Sequence, residues 1–263
     1  MRMSTLRQME NLNMDRAAPI FIRIYKEENT LEVWKQDRTG KFVVLKSYPI
    51  CKFSGKLGPK IMQGDYQAPE GFYDITPEQM NPNSSQFLAF NIGYPNAFDR
   101  SLGRTGSSLM VHGGCKSVGC YAMTDYGIEE IYGLVDEAFQ GGQTKIQLQA
   151  FPFHMTTANL LRHKQDLNAP FWQMLKTGSD LFLETGQPPT VAACNQRYVF
   201  NASAANTFLD PSGPCPPNVN ETADDTAIPA PQSASAVGLS QPSIVYPPRE
   251  QFAEKIKQIL RAH

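Results

Sequence analysis

APIFIRIYKEENTLEVWKQDRTGKFVVLKSYPICKF, residues 18–53, decides the fold class. Ile20, Ile22 and Ile24 alternate with Phe21, Arg23 and Tyr25, the period of two that puts successive side chains on opposite faces of a strand. Leu31, Val33 and the position of Lys35 continue a second alternation. Asp37, Arg38, Thr39 and Gly40 form a turn, and residues 42–48 form a third strand. Three strands joined by short turns make a β-meander, so the expected class is mostly β (α+β).

Further strands follow at 71–75, 85–92, 108–112 and 145–151. Helical periodicity occurs in three regions before residue 211. Residues 4–14 carry Leu6, Met9 and Leu12 on one face, with Ser4 and Thr5 as candidate caps. Residues 124–139 carry Ile128, Ile131, Leu134, Val135 and Ala138 after a Thr124 or Asp125 cap, and Gly141 and Gly142 end that helix. A third region, 156–184, is expected to break near Pro170. From residue 211 the chain becomes rich in Pro, Ser, Ala and Gly and lacks the apolar side chains that offset ordering entropy. Its end, with Phe252, Ile256, Ile259 and Leu260, regains an apolar helical face. The expected organisation is an N-terminal helical segment (1–18), a β-rich catalytic domain (19–155), a helical subdomain (156–210) and a Pro-rich tail ending in an amphipathic helix (211–263).

The 263 residues hold 24 Lys and Arg against 25 Asp and Glu, a net charge of -1, so a nucleic acid is not an expected partner. No run of eighteen apolar residues is present, and the first residues show no signal-peptide core. There are 19 Gly and 20 Pro, a loop-rich count that suits a β protein. Five cysteines leave at least one unpaired within the chain.

HGGCKSVGC, residues 112–120, concentrates the chemistry. As a metal site, His112, Cys115 and Cys120 lack the usual zinc-ligand spacings, and no metal or cofactor is expected. As a core motif, the cysteines are buried bystanders beside a histidine. As a catalytic motif, His112 at a strand end serves a cysteine thiol if the chain doubles back, which Gly113, Gly114 and Gly119 permit. Histidine within reach is then expected to lower the thiol pKa, and successive N–H groups before Cys120 are expected to line an oxyanion hole. A papain-like protease would place its cysteine well before its histidine, the reverse of the order here. A binding domain without catalysis is the non-enzyme alternative.

The motifs resemble the L,D-transpeptidase catalytic domain of the YkuD type. That family's strand ending in His-Gly, its Ser-x-Gly-Cys and its following Asp are matched by MetValHisGly (110–113), SerValGlyCys (117–120) and AlaMetThrAsp (122–125). AlaProGluGlyPheTyr (68–73) matches an upstream strand motif. YPICKFSGKLGPKIMQGDYQAPEGFY (48–73), FNIGYPNAFDRSLGRTG (90–106) and HGGCKSVGCYAMTD (112–125) resemble the narrower YafK-like branch, and the likeness runs over residues 5–200.

The resemblance implies an L,D-transpeptidase-like β-sandwich with a helix after the nucleophile. It implies Cys120 as nucleophile, His112 as base, the Gly113 carbonyl as orienter of the ring, Ser117 near the oxyanion, and Gly119 within the catalytic loop. Cys115 is a neighbour. Most members carry an arginine where this chain has Ala122, so Arg104, with Lys116 and Tyr121, is expected to bind substrate. The implied activity is a cysteine amidase that cuts the link between meso-diaminopimelate and the lysine of an outer-membrane lipoprotein. The alternative is an L,D-transpeptidase that forms 3-3 cross-links or attaches lipoprotein. The resemblance makes the non-enzyme alternative a peptidoglycan-binding envelope protein. The implied partners are peptidoglycan stem peptides and that lipoprotein. The implied compartment is the periplasm, reached by a signal or anchor outside this chain. In that compartment Cys194 and Cys215 are expected as free thiols, with a disulfide between them as the alternative.

Overall fold

A computed structural model describes residues 2–202, 209–217 and 219. The final amphipathic segment and most of the Pro-rich tail lie outside the described residues. The meander is present: β1 (Ile20–Tyr25), β2 (Thr30–Gln36) and β3 (Phe42–Pro49) pair antiparallel in order. The short β4 (Lys52–Phe53), then β5 (Gly71–Ile75), β6 (Met80–Asn81), β7 (Ala89–Asn91), β8 (Met110–His112), β9 (Tyr121–Ala122) and β10 (Ile146–Phe151) complete two five-stranded sheets. The first runs β3-β2-β1-β10-β5, with β1 and β10 parallel; the second runs β4-β9-β8-β7-β6.

Every residue of β1 is buried, which the alternation explains. Ile20, Ile22 and Ile24 join the main core, with Val111 and Tyr121 of the second sheet and with α3 (Asp125–Gln140). The opposite face is covered as well. Tyr25, Phe72 and Phe151 pack with Phe171, Trp172 and Leu175 of α5 (Ala169–Thr185). The result is a layered α+β fold in which the meander sheet is buried on both sides.

Local chemistry explains the helix ends. Thr124 caps α3 by accepting from the Gly127 N–H at 2.9 Å, and Gly141 ends it. The first helix, α1 (Met3–Asn11), begins at Arg2 without a side-chain cap, so neither Ser4 nor Thr5 caps it. Thr5 is instead buried and bonded to Glu130. The break expected near Pro170 lies just before it, between α4 (Thr157–Arg162) and α5, because Pro170 sits in the first turn of α5, where its missing N–H costs nothing. The region after 156 is not only helical. A hairpin of β11 (Val191–Cys194) and β12 (Arg197–Phe200) packs against α5 and is tied by the Cys194–Cys215 disulfide. That bond corrects the expectation of two free thiols: the cysteines lie 5.2 Å apart at Cα, within bonding geometry.

Candidate active site

His112 ends β8, the middle strand of the second sheet, and Cys120 immediately precedes β9 beside it. The two strands are parallel, with Val111 opposite Tyr121 and His112 opposite Ala122. Parallel neighbours ordinarily need about a dozen connecting residues. Residues 113–120 make the return in eight. Left-handed backbone at Gly114, Cys115 and Gly119 allows it. Extending the register by one step sets Cys120 opposite Met110, so His112 lies two positions along the same face.

Several contacts hold this short loop. The Gly113 N–H reaches the carbonyls of Gln86 and Leu88, both at 3.1 Å. A side chain at Gly113 would lie 2.6 Å from Asp125 Oδ1 and 2.8 Å from Gln86 O, so this position admits only glycine. Asp125, at the start of α3, accepts from the Gly114 N–H at 2.7 Å. Cys115 is bonded to Cys51, which follows β3. Cys120 is the one free cysteine of the five. A thiol in a disulfide cannot attack a carbonyl, which agrees with Cys115 as a neighbour.

The imidazole of His112 is nearly buried, and its Nδ1 lies 2.6 Å from Gly113 O. A carbonyl only accepts, so Nδ1 carries the proton and Nε2 keeps its lone pair. The orienting role expected of Gly113 therefore has its geometry. Cys120 Sγ accepts from the Met110 N–H at 3.4 Å and donates to Ser108 O at 3.6 Å. Burial pushes the thiol pKa up, opposed by the Met110 N–H and by the Lys60 ammonium. Desolvation is the largest of these influences, so the thiol pKa is raised where the motif leads one to expect it lowered.

Ser117, expected near the oxyanion, is bonded to the backbone of Cys120 itself. Its Oγ donates to Cys120 O at 2.7 Å and accepts from the Cys120 N–H at 3.0 Å. Ser54 Oγ lies 2.7 Å away, and since the single Ser117 proton is committed, Ser54 donates. These bonds between Ser117 and Cys120 hold the loop in this conformation. Gly119 is buried directly before the thiol.

Two of the three expected substrate contacts move away from the site. Arg104 is 5% exposed, paired with buried Asp99 at 2.8 Å and set 5.1 Å from the rings of both Phe98 and Phe171. It is a core ion pair, its charge met by the Asp99 carboxylate. Tyr121 is fully buried, with its hydroxyl donating to Pro69 O at 2.6 Å. Strand alternation turns its ring into the core. Lys116 is exposed in the loop. Sequence reasoning missed Ser54 and Lys60. Both lie in the Gly- and Pro-rich segment 51–70, where no periodicity marks a side chain as inward.

A free thiol and a tautomer-fixed imidazole, two register positions apart on one face of adjacent strands, are the reacting groups a cysteine acyl-transfer enzyme needs. No general family profile matches the chain. Protein YafK of Escherichia coli strain K12, which bears the name of an L,D-transpeptidase, is 46% identical over 194 residues, covering 74% of this chain and 78% of its own. The O157:H7 counterpart matches equally. The helical cell-shape-determining protein Pgp2 of Campylobacter jejuni is 16% identical, with a TM-score of 0.41 over 72% of this chain and 79% of its own. The chain belongs to the L,D-transpeptidase family, in its YafK-like branch, and is a cysteine-dependent enzyme that modifies peptidoglycan.

Proposed function

We propose that the chain is an L,D-transpeptidase-type acyltransferase in which Cys120 forms a thioacyl enzyme with a peptidoglycan stem peptide. The observation that carries this reading is the His112 tautomer: Nδ1 is committed to Gly113 O, leaving Nε2 as a base on the face shared with Cys120. Cys120 Sγ attacks the carbonyl at the L-centre of diaminopimelate while Nε2 takes the thiol proton. Collapse of the tetrahedral adduct breaks the C–N bond, and Nε2 returns that proton to the departing amine. An acceptor amine then attacks the thioester and gives its proton to Nε2. The C–S bond breaks, and the thiol is restored.

Because the thiol pKa is raised, the free enzyme rests as a neutral thiol, and proton transfer accompanies attack. The Ser117 bonds to Cys120 must loosen for the Cys120 N–H to reach a developing oxyanion. Two disulfides favour an oxidising compartment, which fits a periplasmic enzyme acting on the wall.

A second reading has water as acceptor and a lipoprotein lysine as the leaving amine. It is favoured by Ala122, a small buried residue where the resembling family usually has arginine. The two readings share one acyl enzyme. The test is incubation of the pure protein with tetrapeptide muropeptides and, separately, with lipoprotein-linked muropeptides. The products are then read by mass spectrometry. Cross-linked 3-3 dimers establish the first reading, and release of lipoprotein peptide without dimers establishes the second. Absence of any acyl adduct on Cys120 in both refutes the shared mechanism.

A further inference from the structure

Arg104, expected at the substrate, is paired with Asp99 in the core. Lys60 stands in a different place. Its side chain is only 4% exposed, and its ammonium donates to Met62 O at 2.9 Å and to Asp65. Its backbone carbonyl accepts from the Tyr94 hydroxyl at 3.2 Å.

The segment around Lys60 is laced to the one that cradles the sulfur. The Thr105 N–H reaches Ile61 O at 3.0 Å, and the Ser107 N–H reaches Gln63 Oε1 at 3.1 Å. Between them Gly106 lies directly over Lys60: a Cβ there would sit 2.7 Å from Lys60 Cε. Two residues on, Ser108 O accepts from the Cys120 thiol. The lysine thus lies against Gly106, in the same short segment whose Ser108 carbonyl accepts from the nucleophile.

We infer that Lys60 is a positioning residue for the proposed acyl transfer. Its buried ammonium, held by Asp65 and Met62 O, supplies the fixed positive charge behind Cys120 and favours the thiolate as it forms. The ammonium acts through the sulfur and does not contact substrate, since it is almost wholly enclosed.

The titratable groups on the elements around the thiol are few. They are His112 on β8, Asp65 beside Lys60, exposed Lys116 in the loop, and Asp125 bonded to Gly114. Glu70, in the same segment as Lys60, is engaged by Lys26 and Trp172. Lys60 is the cation among them whose field reaches the thiol, in the direction that lowers its pKa.

This inference rests on Cys120 being the nucleophile, and its test needs no peptidoglycan. The rate of Cys120 alkylation by iodoacetamide is measured against pH in the wild type, Lys60→Arg, Lys60→Met and the Lys60→Met/Asp65→Asn double variant. Melting temperature is measured alongside. Lys60→Met leaves Asp65 unpaired and moves the inflection upward most. The double variant, which removes that stranded carboxylate and so protects the fold, keeps a smaller upward shift. Lys60→Arg retains the wild-type profile. An inflection that stays at the wild-type pH in both methionine variants, whatever their melting temperatures, overturns the inference and leaves Lys60 as a loop anchor. Failure of the acyl-transfer assays with a moving inflection would refute the proposed function and leave the electrostatic role standing.

Discussion

Cys51 and Cys115 are bonded across a sequence separation of 64 residues, tying the end of the β-meander to the loop between His112 and Cys120. The two ends are also stitched by the Cys51 N–H to Ala122 O at 2.9 Å and the Cys115 N–H to Met123 O at 3.2 Å. The bond therefore braces the loop whose unusual shortness brings the two candidate reacting groups together.

Removing that brace has two separable consequences. Closing a loop of this length stabilises by about 4 kcal/mol in the chain-entropy account. Cys51→Ala/Cys115→Ala should lower the denaturation midpoint accordingly in a urea titration. At temperatures well below unfolding the double variant should still form an acyl adduct, whereas Cys120→Ala should form none, as read by intact-protein mass. Loss of the adduct in a folded double variant, with retention in Cys120→Ala, would mean that the nucleophile is misassigned.

The pH response follows from the environment of the sulfur. Burial raises the thiol pKa and outweighs the Met110 N–H and Lys60. A raised pKa means less thiolate at neutral pH than an exposed cysteine has. Alkylation of the free enzyme at pH 7 should therefore be slower than that of glutathione, with its inflection above the ordinary thiol value of about 8.5. His112→Ala should abolish acylation by muropeptide while leaving the alkylation inflection near the wild-type position. A reactive, low-pKa thiol would show that His112 and Cys120 form a standing ion pair.

Ser117→Ala removes two hydrogen bonds to Cys120 and strands the Ser54 hydroxyl. Each lost bond is worth about 1 kcal/mol, so the stability change should be modest, near 1–2 kcal/mol by thermal unfolding. Turnover should fall more steeply than that figure implies, because the loop no longer sets the sulfur against β8. Ser54→Ala should act in the same direction and more weakly. Equal turnover in Ser117→Ala and the wild type would remove Ser117 from the site.

Arg104→Met should behave as a core mutation. It leaves Asp99 buried without its partner, a change that typically costs about 3–5 kcal/mol. The expected result is a large fall in melting temperature with an unchanged KM for muropeptide at low temperature. A raised KM in a stable variant would return Arg104 to the substrate.

The sequence by itself determined the meander, the capped helix after the nucleophile loop and the pairing of His112 with Cys120 as the chemistry to examine. These are local: alternation at Ile20, Ile22 and Ile24, the Thr124 cap, and an eight-residue spacing rich in glycine are all set by neighbours along the chain. The tertiary structure decided what depends on distant partners. Arg104 and Lys60 are both basic residues in glycine-containing loops, and nothing in either stretch says that Asp99 pairs one in the core while the other packs against Gly106, two residues from the carbonyl that accepts from Cys120. Cys51 is as isolated in sequence as Cys194, and only the folding of the meander's end onto the catalytic loop gives it a partner in Cys115. The state of the thiol belongs to the same class, since its pKa is set by burial, by the Met110 N–H and by the charge of Lys60, none of which the loop sequence supplies.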